Sequence, residues 1–386
     1  MKRLFFAIFF FLMALCGYSQ NWTCTWATAT EYMGDNDIPQ DGTLSHCAVR
    51  QTIHISLGGE KMRLRLSNTF CHQPLDIQSV YVAEVGEGAA IAPKSARYLS
   101  FNGKKNVRIE SGETVVSDVL KYSLKPLQRL SVTINYGEAV PLHPTGHRGS
   151  RTTSFIMHGE SKPKSSFVVD EKIERWFSID ALDVETDGPV DCIAVLGNSI
   201  TDGRGTTTDM QNRWTDVLAE GLGGQCAVLN LGIGGNCVLS GGLGQPATER
   251  FERDIMSQHG VTHLIIFEGI NDIGGTKNSE QTSGQLIRAY EKFISQARQH
   301  GMKVYLGTIT PLGKTDYWSF FHEAARQAVN EWIRSNDKVE GILDFDLLLR
   351  DPQEPTQLTP QWQYDGLHPN AEGYRVMGNY AAEQLR

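Results

Sequence analysis

The stretch Cys192-Ile-Ala-Val-Leu-Gly-Asn-Ser-Ile-Thr-Asp-Gly203 constrains this chain more than any other. Its run of apolar residues is what a strand buried on both faces of a parallel sheet requires. Gly197 follows, and Ser199 stands where the strand should give way to a helix. In an open parallel sheet that position lies at the carboxyl edge, where such folds bind their ligands. A hydroxyl there, near the positive end of a helix, is placed to act as a nucleophile. It is equally placed to cap the helix, and from this stretch alone both readings stand.

Downstream, strand-like and helical patterns alternate. Strands are expected at Cys192–Leu196, Cys226–Leu231, Thr262–Phe267, Val304–Thr308 and Gly341–Phe345, and helices at Arg213–Leu222, Ala247–Gln258, Ser279–His300, Trp318–Arg334 and Asn370–Leu385. This alternation predicts an α/β fold, a flavodoxin-like, doubly wound parallel five-stranded sheet over residues 186–386. Its ligand site should lie where the first three strands end.

Residues 20–185 read differently. Lys61–Ser67 alternates polar and apolar residues, as a strand with one wet face should. Further strands are expected at Leu75–Glu84, Asn106–Ile109, Arg129–Tyr136, Thr153–His158 and Arg175–Asp183, separated by glycine-containing turns. No amphipathic helix of normal length occurs between 40 and 185. The expectation is an antiparallel, jelly-roll-like β-sandwich, serving either to shape or bind a carbohydrate substrate or simply to stabilise its neighbour. The loop Pro141–Arg151 holds two histidines and two arginines, and His147 or Arg148 is expected to lean over the mouth of the second domain's site.

Residues 1–19 have the form of a secretory signal peptide: Lys2 and Arg3, an apolar run from Leu4 to Leu15, then small residues before Gln20. Export to the periplasm or the exterior follows. Cys16 would allow a lipid anchor, but Leu15 before it fits that signal poorly. No later stretch is long and apolar enough to span a membrane. The chain carries 44 acidic against 36 basic residues, and loss of the leader makes it two units more negative. An acidic balance without basic runs argues against nucleic acid as a partner. Cys24, Cys47, Cys71, Cys192, Cys226 and Cys237 would remain; Cys192 should be a free strand residue, and any disulfide should join members of the first three. They form neither a CxxC nor a Cys/His cluster at metal-ligand spacing, and no metal or organic cofactor is called for.

Three more pieces carry chemistry. Asn230-Leu-Gly-Ile-Gly-Gly-Asn236 is a glycine-rich turn after the second strand. Gly269-Ile-Asn-Asp272 puts an amide in a tight turn after the third, and Asp365-Gly-Leu-His-Pro369 places a carboxylate three residues before a histidine near the end. Acyl transfer to a serine needs a base, a group to orient that base, and donors for the developing oxyanion. His368 can be the base and Asp365 its orienter. The N–H groups of Ser199 and Gly235 and the side chain of Asn271 can converge on one oxygen. Each piece alone is weak, but their order, at strand ends and before the last helix, is specific.

On these blocks the carboxyl-terminal half, from about 189 onward, resembles an SGNH/GDSL hydrolase, and with the strands before it the chain is similar to secreted two-domain members of that family. The resemblance implies Ser199 as nucleophile, Gly235 and Asn271 as oxyanion donors, and His368 with Asp365 as base and orienter. Gly234 could take Gly235's part if the turn is shifted by one residue. Asn198 departs from the usual block, which has aspartate; a local change in hydrogen bonding with retained activity is expected. The substrate is then an acylated carbohydrate, acetyl esters foremost, or a small ester. Tyr317, Trp318, Phe320, Trp362 and Tyr364 would suit stacking on sugar rings or packing of the helix and loop beneath them. Arg204 and Arg250 are either substrate contacts or parts of ion pairs. Two rival readings are a lipase or a silent glycan-binding protein. A third is a glycosidase using Asp365 with Asp202 or Glu268. Oligomeric state is beyond the sequence.

Overall fold

A computed structural model of the protein describes residues 21–386. The expected signal peptide, with Cys16, lies outside the described residues. The five predicted parallel strands form at Cys192–Gly197, Ala227–Gly232, His263–Phe267, Lys303–Gly307 and Gly341–Leu343. They share one sheet, all parallel, in the spatial order second, first, third, fourth, fifth. That is the flavodoxin-like order. The first strand therefore sits between the second and third, and the chain's direction of winding reverses at its carboxyl end. Cys192 through Gly197 are all buried there, as the apolar run requires.

The helices follow their apolar stripes. Ser279–Gln299 buries Leu286, Tyr290, Phe293 and Ala297 at helical spacing, and Asn278 caps it through the N–H of Gln281. Phe320–Arg334, capped by Ser319, packs against it, while Trp214–Gly221 packs on Ala371–Gln384. The helix expected over 247–258 is α-helical only to Phe251 and then widens into a π-helical turn, Glu252–Met256. The fifth strand stops short of its predicted end because Asp344 caps a short helix, Phe345–Leu349.

Before this sheet lie antiparallel ones. A five-stranded sheet is built around Ile179–Thr186 and Gly59–Ser67, with Asn21–Ala27 at its edge. A seven-stranded sheet centres on Cys47–His54, Arg129–Tyr136 and Leu75–Glu84. Gly59–Ser67 shows the predicted alternation, with Met62, Leu64 and Leu66 inward. Outward-facing Arg63 and Arg65 pair with Asp183 and Asp180. The strand expected over 175–183 is in fact two. Ser178, at φ 60, turns the backbone into the left-handed region. Trp176–Phe177 consequently joins a small three-stranded sheet, and Ile179–Thr186 joins the five-stranded one. The supposed loop 141–151 contains Thr145–His147, the middle strand of that small sheet.

The two kinds of sheet touch directly. Asn21–Ala27 runs beside Ala227–Gly232, the edge of the parallel sheet. The Val228 N–H donates to Ser56 Oγ at 2.9 Å and the Cys24 N–H to His259 O at 2.9 Å. An edge strand is thereby covered. No disulfide forms among the described residues: Cys24, Cys47 and Cys71, between which any bridge was expected, are free, as are Cys192, Cys226 and Cys237. Cys24 and Cys47 belong to different sheets, and Cys71 lies in a loop with its sulfur 3.4 Å from Thr145 Oγ1. No helix among the described residues is long and apolar enough to cross a membrane.

Candidate active site

The first strand ends at Gly197, and Asn198 caps the short helix Ser199–Asp202 by accepting the Ile200 N–H at 3.0 Å. The capping task thus falls to Asn198, and asparagine performs it as well as aspartate. The Ser199 hydroxyl is left free, and it lies 2.8 Å from His368 Nε2. As the first residue of its helix, Ser199 has an N–H that the helix itself cannot satisfy. Gly232, at the end of the second strand, lets this turn sit close: a Cβ there would overlap the backbone nitrogen of Asp202.

His368 is held by its own loop. Asp365 accepts the N–H groups of Leu367 and His368 at 3.1 and 2.9 Å, and its carboxylate is 2.9 and 3.0 Å from His368 Nδ1. With Nδ1–H given to the carboxylate, Nε2 is the nitrogen that can accept from Ser199. Burial disfavours charge on His368. Asp365 pulls the other way, Arg204 and Arg151 add to the effect of burial, and the net shift is downward from the ordinary histidine value. Burial would raise the pKa of Asp365, but the His368 N–H and imidazole outweigh it and hold the carboxyl below its usual range.

Asn271 lies in the first turn of the helix Ile270–Gly275. Its amide orientation is unambiguous: Nδ2 is 2.7 Å from Asn236 O, which can only accept, and Oδ1 accepts from the Tyr317 hydroxyl at 3.0 Å. One Nδ2 hydrogen remains for a ligand. Asp272 next to it accepts the N–H groups of Val238 and Leu239 at 2.8 and 2.9 Å, tying down the loop after the second strand. Burial pushes its carboxyl up to about 6. Ser199, His368, Asn271 and Gly235 line one pocket of about 420 Å³; Gly234 lines it too. The five residues predicted from the sequence are therefore brought to one place, with Asp365 directly behind His368.

Residues 195–376 match the GDSL-like Lipase/Acylhydrolase family. The domain that carries this pocket belongs to that family. Solved structures similar to the chain include a GDSL-like lipase from Bacteroides thetaiotaomicron, 20% identical, covering 51% of this chain and 89% of that one, TM-score 0.39. An aryl esterase from M. smegmatis is 18% identical over 51% of this chain and 98% of its own, TM-score 0.39. A carbohydrate acetylesterase from Sinorhizobium meliloti is 16% identical over 50% and 98%, TM-score 0.39. No curated protein matches the sequence.

The wall of the hydrolase pocket is not made by the hydrolase domain alone. Asp37, Arg148, Gly149, Arg151 and Arg175, all from the antiparallel half, line it with Ser199. The prediction for Pro141–Arg151 is right for Arg148 and wrong for His147. His147 is buried, with Nδ1 2.9 Å from Ala29 O and Nε2 3.0 Å from Asp202 Oδ1, so it joins the two halves beneath the pocket. Asp202 also accepts from Arg151 at 2.9 Å. Burial would raise its pKa, but Arg151, His147 and Arg213 hold the carboxyl below its usual range. Gly149 fits against this cluster, where a Cβ would overlap the Asp202 carboxylate.

Other candidates fall outside the chemistry. Arg250 is fully buried and bonds Asn236, Asp254 and the carbonyls of Leu231 and Gly197. It locks the first two strand ends together and does not reach the pocket. Arg204 does line the pocket. Glu268 is buried away from it, and Asp202 is committed to His147 and Arg151, so neither is placed as the second carboxylate of a glycosidase. Of the aromatics, Tyr317 lines the pocket, and Trp318 stacks edge-on with the exposed Phe320.

Proposed function

We propose that this protein is an exported serine esterase that removes short acyl groups, acetyl foremost, from carbohydrate. The observation that carries the reading is the 2.8 Å contact between Ser199 Oγ and the nitrogen of His368 left unprotonated by Asp365. Ser199 Oγ attacks the acyl carbon while its proton passes to His368 Nε2. The carbonyl oxygen becomes an oxyanion, met by the Ser199 N–H, the Gly235 N–H and Asn271 Nδ2. Collapse breaks the bond to the sugar oxygen, which takes the proton from His368. Water then gives its proton to His368, attacks the acyl-enzyme, and the acid leaves with Ser199 restored.

A short acyl group suits the pocket's lining, where Leu243, Leu367 and Tyr317 stand among charged side chains and offer no apolar channel. Export is proposed from residues 1–19. The residues named here need no metal, so a chelator should leave the rate unchanged. The decisive measurement is hydrolysis of p-nitrophenyl acetate and release of acetate from acetylated oligosaccharides. Ser199→Ala should lower kcat by on the order of 10⁴–10⁶. Full activity in that variant would remove the mechanism, and an inert wild-type protein that still binds glycan would favour a binding role.

A further inference from the structure

Four guanidiniums surround the Ser199–His368 pocket: Arg148, Arg151 and Arg175 from the antiparallel half, and Arg204 from the hydrolase. Three of them are held by carboxylates that are more buried than they are. Glu31, whose side chain is 1% exposed, holds Arg148, which is 24% exposed. Asp202, at 2%, holds Arg151, at 24%. Asp37, at 14%, holds Arg175, at 26%. Glu31 sits behind the pocket, while Asp37 and Asp202 line it beside the arginines they hold. Arg151 Nε has no protein partner although it is buried. Arg204, half exposed, has its Nε 3.6 Å from Asp365, too far for a hydrogen bond. The chain as a whole carries a formal charge of −8; around this pocket each guanidinium has a carboxylate within 3.6 Å, so what is gathered here is guanidinium donors rather than net positive charge.

Guanidiniums fixed in this way match the paired oxygens of a carboxylate. A neutral sugar offers hydroxyls, which backbone groups and amides can bind without the cost of gathering like charges. A second cavity of about 750 Å³ shares Gly235, Asn271 and Tyr317 with the first and extends past them to the exposed Arg288. The space therefore continues on the far side of the oxyanion donors.

Resting on the esterase reading, we propose that the substrate is an acylated acidic oligosaccharide, with a sugar carboxylate seated among Arg148, Arg175 and Arg204 while the ester lies at Ser199. Uronic and sialic acids share this chemistry. An anionic lipid would also present charge, but the lining has no apolar run for its chain.

The test compares acetate release from O-acetylated oligogalacturonide, an O-acetylated sialoside and O-acetylated xylo-oligosaccharide, with a lysophospholipid and p-nitrophenyl acetate alongside. The expected result is a kcat/KM for one acidic glycan about tenfold or more above that for the neutral one, falling as salt is raised. Arg175→Gln with Arg204→Gln should lower kcat/KM on the acidic glycan about tenfold, through KM, and so narrow the preference. Arg204→Gln alone, at a half-exposed position, should narrow it in part even if the double variant fails to fold. Equal rates on acidic and neutral glycans, faster cleavage of the lysophospholipid, or a preference that survives Arg204→Gln undiminished would overturn the proposal. Cleavage of p-nitrophenyl acetate with no activity on any glycan would also overturn it while leaving the esterase reading intact. Failure on every ester would sink both.

Discussion

The two halves of the molecule contribute to one pocket in opposite ways. In the hydrolase half the predicted site residues stand at the ends of neighbouring strands, so Ser199, Gly235 and Asn271 are each delivered by a short motif at a fold-determined place. In the antiparallel half, Asp37, Arg175 and the pair Arg148 and Arg151 come from three connections and meet only because the seven-stranded and three-stranded sheets bring those connections together. One half supplies the chemistry as motifs; the other supplies the wall as scattered side chains. Motifs are legible because local backbone geometry makes them work. Walls are not, because any loop of the right reach can hold the same arginine.

This contrast can be broken at either side. The largest expected effect is within the hydrolase half. Asn271→Ala should cost on the order of 10²–10³ in kcat, with about 1 kcal/mol of stability from its bonds to Tyr317 and Asn236. Stopped-time assays and denaturant melts read both, and a change in KM alone would remove Asn271 from the oxyanion site. Gly149→Ala, in the other half, should act through packing. Asp202 is pinned by His147 and Arg151, so the added methyl cannot displace it cheaply. A loss of about 1–3 kcal/mol in unfolding free energy is expected, with kcat/KM reduced about tenfold as the Ser199 helix shifts. Unchanged stability and rate would show that the halves meet more loosely than described.

The smallest effect lies in pH dependence. His368 acts as a base only when unprotonated, so kcat/KM is full above its pKa and falls as pH drops through it. Burial, aided by Arg204 and Arg151, places that pKa below 6.5, and the acid limb should lie there. Removing the positive charge in Arg204→Gln should move the limb upward. A limb at or above 6.5 in the unaltered protein would contradict the site's electrostatics.

Much of the fold was readable because burial leaves a periodic trace. Cys192–Leu196 is apolar throughout since both faces of its strand are covered, and Lys61–Ser67 alternates since one is not. The misreadings fall where one residue overrides the pattern. Ser178 at φ 60 splits a strand whose apolar residues resume on its far side, and Asp344 turns a strand's end into a helix cap. His147 could be read as a residue of the pocket mouth because its partner, Asp202, lies 55 positions away. Tyr317 read only as an aromatic near the site, whereas its hydroxyl orients the amide of Asn271.

Sequence by itself determined the parallel sheet, the order of the motif blocks and the pairing of Asp365 with His368, three residues apart in a single loop. These depend on local periodicity and on short-range bonds that any stretch of chain either can or cannot make. Tertiary structure alone decided that His147 is buried against Asp202, and that arginines from the antiparallel half surround Ser199. Those outcomes depend on which distant groups arrive at a given point, and distance in space leaves no mark on spacing along the chain.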